Sequence, residues 1–364
     1  MAYDALFEPY SRGNLTTEHR IALAPLTRNR AVGTVPGDIN AEYYAQRADA
    51  AFVISEGTHP AAIGQGYYDV AGLHNDEQQA GWAKVADAVA KAGNGKLVIQ
   101  LMHAGRVAHP YYTGGATPVA PSAVTPEGGT WTPDGEQAFV EPREIATDEL
   151  QSVKQEFVDA AKRAVAAGAY GVELHAANGY LLHQFLAENT NKRTDGYGTD
   201  VAGRIRFVVE VTNAVVEAIG AERTAIRLSP GHPFNDIAEQ DPKATYEALL
   251  AELAKHDLLY VHVLDTAPYV DYAPLEQARS IFPGTLVINE GFSEEFDVQG
   301  ANDLIAAGKA DFVAYGRRFL ANPDLPERLR TGADLNEPDE STFYSRGPKG
   351  YTDYPALDTA ASQS

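Results

Sequence analysis

Eight short apolar runs recur along the 364 residues, most of them followed by Gly or a polar residue and then by a long Ala-rich amphipathic segment. They are Ile21–Pro25, Ala51–Ser55, Leu97–Leu101, Gly171–Leu174, Ala225–Leu228, Leu259–Leu264, Leu286–Ile288 and Asp311–Ala314. That alternation is the pattern of parallel βα units. Helices are expected over Asp76–Ala92, Thr147–Ala167, Val201–Ile219, Pro242–His256 and Asn302–Ala307, each ending near Gly or a polar breaker. Eight such units predict an α/β fold, a single (β/α)8 TIM barrel. A doubly wound sheet would place a Gly-rich turn directly after its first strand, whereas the turn here reads Pro25-Leu26-Thr27-Arg28-Asn29-Arg30.

Outside the repeat, Leu6–His19 carries a turn at Arg12-Gly13-Asn14 and is expected to form a small hairpin closing the barrel floor. The Gly-, Pro- and Tyr-rich stretch Ala104–Glu144 falls between the third strand and its helix, and so is an inserted segment on the catalytic rim. Residues 1–355 are expected to form one domain. The polar tail 356–364 is expected to be disordered.

Lys and Arg total 29 against 50 Asp and Glu, a formal charge of −21, which argues against nucleic-acid or anionic-membrane partners. Any bound anion needs a local cationic pocket. With no cysteine, thiolate nucleophiles, disulfides, iron–sulfur clusters and Cys-ligated zinc are excluded. The amino terminus carries neither a basic n-region nor an apolar h-region, and no apolar run approaches the roughly 18 residues of a membrane span, so the expected location is the cytoplasm.

Barrel enzymes gather their active sites at the carboxyl ends of the strands. Those ends read Pro25-Leu26-Thr27, Glu56-Gly57-Thr58, Gln100-Leu101-Met102-His103, His175 with Asn178 and Tyr180, Arg227, Asp265, Asn289-Glu290-Gly291 and Gly316-Arg317. The fourth set is the most telling. His175 and Asn178 each offer an N–H donor for a carbonyl or nitro oxygen, and Tyr180 offers a phenol that is protonated at neutral pH. Together they form a kit for polarising and protonating an electron-poor double bond. The same spacing also suits a strand end turning into a helix, with His as a polar cap and Tyr as packing. As a whole the inventory is poor in hydrolytic groups and rich in hydrogen-bonding ones, which suits a heteroaromatic cofactor bearing a phosphate.

The ordered pieces Ala24-Pro25-Leu26-Thr27-Arg28, Ser55-Glu56-Gly57-Thr58, Gln100 to Arg106, His175 to Leu186, Arg193 to Gly198, Gly316-Arg317, Asn322 to Leu325 and Gly350 to Pro355 carry a resemblance over nearly all the chain. It resembles the Old Yellow Enzyme family of flavin-dependent ene-reductases, and within it the bacterial N-ethylmaleimide, glycerol trinitrate and pentaerythritol tetranitrate reductases. The resemblance implies FMN as cofactor and NADPH, or NADH, as hydride donor. It implies that Thr27 bonds the flavin O4, that backbone at Pro25 and Gly57 approaches the ring, that Gln100 holds the pyrimidine edge and that Arg227 sits near N1 and O2. Gly316, Arg317 and amides near Gly291 would bind the phosphate. His175 and Asn178 would hold the substrate oxygen while hydride arrives from flavin N5, and Tyr180 would protonate the α-carbon from the opposite face. Thr27 and Met102 complete the expected substrate pocket. Met102 stands where close relatives often carry a bulky aromatic, and Asn178 where several carry His.

The implied partner is a small electron-poor alkene or nitro compound, with no resident metal, and the protein a monomer or homodimer. His183 is expected to pack within a helix, and His103 and His109 to lie on the rim. Two other readings remain open on these residues. A metal-dependent barrel hydrolase or aldolase would use Glu56, His103, His175 and Asp265, although no His-x-His pair stands at a strand end and none of these strand ends offers a Schiff-base lysine. A catalytically silent flavin binder would keep Thr27, Gln100, Arg227 and Arg317 without needing His175, Asn178 and Tyr180 together.

Overall fold

In the computed structural model, which describes residues 3–132, 134–289 and 297–357, eight parallel strands close into a barrel wrapped by helices. A hairpin of β1 (Tyr10–Arg12) and β2 (Leu15–Thr17) precedes the first barrel strand, β3 (Ile21–Leu23), which leads through α1 (Asp38–Ala45) to β4 (Phe52–Ile54), α2 (Asp76–Ala92) and β5 (Lys96–Leu101). The rim insertion then supplies β6 (Val119–Ala120), β7 (Gly129–Thr132), β8 (Gly135–Ala138) and β9 (Arg143–Glu144) before α3 (Leu150–Ala166). Next come β10 (Gly171–Ala176), α4 (Leu181–Leu186), α5 (Val201–Ile219), β11 (Thr224–Leu228), α6 (Pro242–Leu253) and β12 (Tyr260–Leu264). The last units are α7 (Pro274–Ile281), β13 (Leu286–Asn289), α8 (Val298–Ala306), β14 (Phe312–Tyr315), α9 (Arg317–Ala321) and α10 (Leu325–Thr331). Pairing of β14 with β3 closes the ring. All eight expected strands are present.

Local chemistry fixes the helix ends. Asn75 caps α2 by accepting from Gln78 N, Asp200 caps α5 through Gly203 N, and Asp241 caps α6 through Ala244 N with Pro242 in the first turn. The helix expected from Asn302 begins four residues earlier, at Val298, because Asp297 accepts from Gly300 N and starts the turn there. On α2 the buried residues Gln78, Trp82, Val85 and Val89 recur every three or four positions and face the barrel. Among the described residues, no helix is long and apolar enough to cross a membrane.

Alternation along the strands divides the core in two. Val172, Leu174, Ile226, Val261, Val263 and Ile288 point outward into the layer shared with the helices. Inward positions at the amino-terminal half pack Ala22, Phe52, Val98, Ala225, Tyr260, Val287 and Phe312 into an apolar plug. Phe52 lies with its ring centroid 5.0 Å from Tyr260 and 4.9 Å from Phe312. The hairpin seals this end: Leu15 joins the plug, Tyr10 packs on Phe312, and Arg12 bonds Asp257 and the Pro283 carbonyl. The expectation of a hairpin on the barrel floor therefore holds.

Above the plug the inward positions turn polar: Gln100, Glu173, His175, Arg227, His262 and Asn289. The expected rim insertion is in place, tied down by Arg193, which donates to Pro121 O and Ile145 O while pairing with Asp195. Far along the chain, residues 342–350 return to the loop after β3. There Arg28 donates to Phe343 O and Gly350 O, and Arg30 to the carbonyls of Thr342, Phe343 and Gly347. Tyr351 stacks on Tyr43 with centroids 4.1 Å apart and planes 6° from parallel. The tail expected to be disordered falls, from residue 358 on, outside the described residues.

Candidate active site

His175 ends the inward row of β10 and is buried, with its Nδ1 accepting from Ala177 N at 3.3 Å. An acceptor at Nδ1 leaves the proton on Nε2. Burial first, then the nearby Arg227, His183 and His262, push its pKa well below the usual imidazole value, so it is a neutral donor. Next in the chain, the backbone reverses through Asn178 and Gly179, both at positive φ (55° and 77°). A Cβ at Gly179 would come 2.6 Å from Asn235 Cβ and 2.7 Å from Phe234 O, so the turn needs glycine there.

This reversal is fastened on every side. Asn178 N donates to Ser229 Oγ at 2.8 Å, Asn235 Nδ2 donates to Asn178 O at 2.8 Å, and Gly179 N donates to His183 Nδ1 at 3.0 Å. His183, expected as helix packing, is indeed fully buried in α4, and it also pins this turn. With its main chain so occupied, Asn178 keeps a buried Nδ2 with no partner among the described residues. Tyr180 follows at the amino-terminal cap of α4, its ring edge-on to His175 with centroids 4.8 Å apart. Burial, reinforced by Tyr67, raises its phenol well above 10, so it holds its proton. The structure thus brings His175, Asn178 and Tyr180 to one place.

Below and beside them lies the polar layer. Strand register sets His175 beside Arg227 and Arg227 beside His262, and sets Glu173 beside Gln100. Gln100 Nε2 donates to Glu173 Oε1 at 2.7 Å, and His262 Nδ1 donates to Glu173 Oε2 at 2.8 Å. Burial alone would raise the Glu173 carboxyl, but His262, Arg227 and Gln100 outweigh it and hold the pKa below the ordinary value. Burial lowers His262 despite the carboxylate, so it is a neutral donor and Arg227 carries the opposing charge. Arg227 gives Nη2 to Asn289 Oδ1 at 2.7 Å and keeps a buried Nε without a partner among the described residues.

Met102 is buried with Tyr180, Ala104, Val107 and Ala108, and Tyr67 packs against this cluster. Met102 also fills the space beside Gly57, where a Cβ would come 2.5 Å from Sδ. Pro25 and Thr27, both half-buried, follow β3, and Ala24 N donates to Tyr315 O, which sets that loop beside Gly316 and Arg317. Arg317 is half exposed, 3.7 Å from Glu340. Gly291 lies outside the described residues. His103, expected on the rim, is instead buried, with Nδ1 accepting from Gly105 N and Gly64 against its ring. Glu56, His103, His175 and Asp265 do not converge: among the described residues, no three His, Asp or Glu side chains gather as a metal site requires. Glu173 and His262 escaped the sequence reading; their signal was a charged or polar residue at every second position of an otherwise apolar strand.

A closed parallel barrel whose mouth gathers neutral donors around a buried arginine, over an apolar floor, is a frame suited to an oxidoreductase that holds a planar, hydrogen-bonding cofactor. The chain belongs to the NADH:flavin oxidoreductase / NADH oxidase family, whose profile matches residues 5–336, and within it to the Old Yellow Enzymes. It is 40% identical to 12-oxophytodienoate reductase 1 of Oryza sativa subsp. japonica over 371 residues, covering 99% of this chain and 95% of that protein. Among solved structures, morphinone reductase superposes with a TM-score of 0.92 at 41% identity, over 98% of this chain and 97% of that one. The Old Yellow Enzyme homologue from Zymomonas mobilis gives 0.92 at 37% identity, over 97% and 99%. Morphinone reductase has also been solved in complex with tetrahydroNAD.

The protein is accordingly a flavin-dependent oxidoreductase with FMN as cofactor and a nicotinamide as hydride donor. Its residues fit that cofactor. Arg227 Nε is a buried donor with no acceptor among the described residues, and the Gln100 amide is held in a fixed orientation by Glu173.

Proposed function

We propose that this protein reduces activated C=C bonds, in α,β-unsaturated carbonyls, maleimides and nitroalkenes, at the expense of NAD(P)H. One observation carries the reading: the His175 ring, with its proton on Nε2, lies against the ring of Tyr180, whose hydroxyl is protonated, and on the turn between them Asn178 Nδ2 has no partner among the described residues. FMN bound there would supply the hydride, received from the nicotinamide. His175 and Asn178 hold the carbonyl or nitro oxygen and stabilise the charge that grows on it, from a fixed geometry that needs no reorganisation. Tyr180 then gives its proton to the α-carbon. Because the apolar plug closes the barrel below, nicotinamide and alkene enter by the same mouth in turn, which supports a ping-pong cycle.

The residues that would hold the cofactor are Pro25, Thr27, Gly57, Gln100 and Arg227 at the ring, with Gly291, Gly316 and Arg317 at the phosphate. Met102 and Thr27 would shape the substrate pocket. Nitrate esters and nitroaromatics, whose oxygens the same two donors can hold, form the second substrate class. A silent flavin binder has no use for two donors and an acid on one small turn.

The test is a comparison of NADPH and NADH with cyclohexenone, a maleimide and a nitrate ester, using wild type and Tyr180→Phe. The reading expects alkene reduction that depends on the Tyr180 hydroxyl. A flavin-loaded protein that passes no hydride to any of the three would refute it.

A further inference from the structure

Glu173 is a fully buried carboxylate two residues before His175 on β10, and each of its oxygens holds one donor. An ionised carboxylate out of water costs several kcal/mol unless it is paired and hydrogen-bonded. An apolar residue would fill the same inward position without that cost, so the carboxylate is retained for something other than packing.

Two consequences of its contacts bear on the barrel mouth. The first is orientation. A glutamine amide can sit in either of two flips. By giving Nε2 to Glu173 at 2.7 Å, Gln100 is held in one of them. The second is charge. Arg227 is the nearby cation, in register with His175 and His262, and its charge acts on Glu173. Burial lowers the His262 pKa, so among the described residues of the layer the charged pair is Arg227 and Glu173, one of each sign.

We propose that Glu173 is a positioning residue of the flavin site, which orients the Gln100 amide and offsets the charge of Arg227, and so sets the cofactor's affinity and its reduction potential. The inference rests on the reading that Gln100 and Arg227 line the flavin. Arg227 favours the negative charge that reduction adds to the cofactor, and Glu173 opposes it. The net potential is then a balance struck by this pair.

The experiment measures the midpoint potential of bound FMN by dye equilibration, and its dissociation constant by titrating apoprotein, for wild type, Glu173→Gln and Glu173→Asp. Glu173→Gln removes the charge and should shift the potential positive by roughly a tenfold change in the reduced-to-oxidised ratio, about 30 mV for a two-electron couple. Glu173→Asp keeps the charge but withdraws it by one methylene from Gln100. Its potential should stay near wild type while FMN binds about tenfold more weakly. A residue that only supported the fold would lower the melting temperature of both variants without moving the potential of the flavin they retain.

Equal or more negative potential in flavin-loaded Glu173→Gln overturns the proposal. If that variant does not fold, Glu173→Asp decides alone: wild-type potential with weakened FMN binding supports the proposal, and any other result overturns it. Wild type that refuses FMN would overturn both this inference and the function it rests on, whereas normal alkene reduction with an unmoved potential sinks the inference alone.

Discussion

The hydroxyl oxygens of Tyr67 and Tyr180 lie 2.8 Å apart, one from the loop after β4 and the other from the cap of α4. Burial raises both phenols, so each keeps its proton near neutrality and one hydroxyl donates to the other. Tyr67 thereby aims the Tyr180 hydroxyl. Tyr180→Phe should slow flavin reoxidation by an alkene by roughly 10²- to 10⁴-fold, the usual contribution of a general acid. Reduction of the flavin by nicotinamide should be unchanged. Tyr67→Phe, which removes only the aiming bond, should cost about tenfold in the same step. Stopped-flow traces of the two half-reactions separate these effects, and equal slowing of both would be incompatible with an acid role.

On the proposed function His175 and Asn178 act on one oxygen, so their effects should not add. Either His175→Ala or Asn178→Ala should lower the alkene step by roughly 10²- to 10³-fold, the range for losing one oxyanion donor. The double variant should fall well short of the product of the two. Steady-state kinetics on all three proteins, with a double-mutant cycle, measure the coupling; strict additivity would mean that the two donors serve different atoms.

Gly179→Ala meets two obstacles at once, a left-handed φ of 77° and a Cβ 2.7 Å from the Phe234 carbonyl. The substitution should destabilise the fold by roughly 1–3 kcal/mol. It should also disable alkene reduction in the folded fraction, because Asn178 and Tyr180 flank the position. Urea denaturation and activity per bound flavin test the two effects separately.

Glu156 on α3 has a buried oxygen with no partner among the described residues, and burial raises its pKa from 4.5 to about 7. An acid whose folded pKa is raised costs nothing below its unfolded value, since both states are then protonated. Between pH 4.5 and 7 the unfolded chain loses the proton first, so stability falls as pH rises, and above 7 the full penalty applies. Glu156→Gln should therefore stabilise the protein by about 1 kcal/mol at pH 8.5, after discounting for partial exposure, and leave it nearly unchanged at pH 4.5. Denaturation midpoints at the two pH values check the sign; an equal gain at both would point to packing instead of charge.

The strands were legible because each is a short, mostly apolar run, and α2 and α5 because their buried faces repeat cleanly between an Asn or Asp cap and a terminal Gly. Helix α1 was not, since its buried face mixes Asn40 and Ala41 with Tyr43 and Tyr44 and shows no simple stripe. Helices α7, α9 and α10 are short, and Pro274 and Pro326 stand inside the first turns of two of them, where sequence reads a break. At the mouth, His175, Asn178 and Tyr180 could be grouped from the chain because six consecutive residues hold them. The link from Gln100 through Glu173 to His262 spans 73 and then 89 residues, and only barrel register brings it together. His103 looked like a rim residue because it stands just past the end of a strand; the distant Gly64 packs against its buried ring.

The clasp of Arg28 and Arg30 on residues 342–350 has a consequence for biosynthesis. Its two halves are separated by 312 to 322 positions, and the seam between β14 and β3 joins strands nearly as far apart in the chain. A nascent polypeptide emerging from the ribosome can assemble its intermediate βα units early, yet the wall bearing Thr27 stays open until translation has passed residue 350. Capture of the vitamin-derived prosthetic group should therefore be a late event, and chains released prematurely should emerge pale.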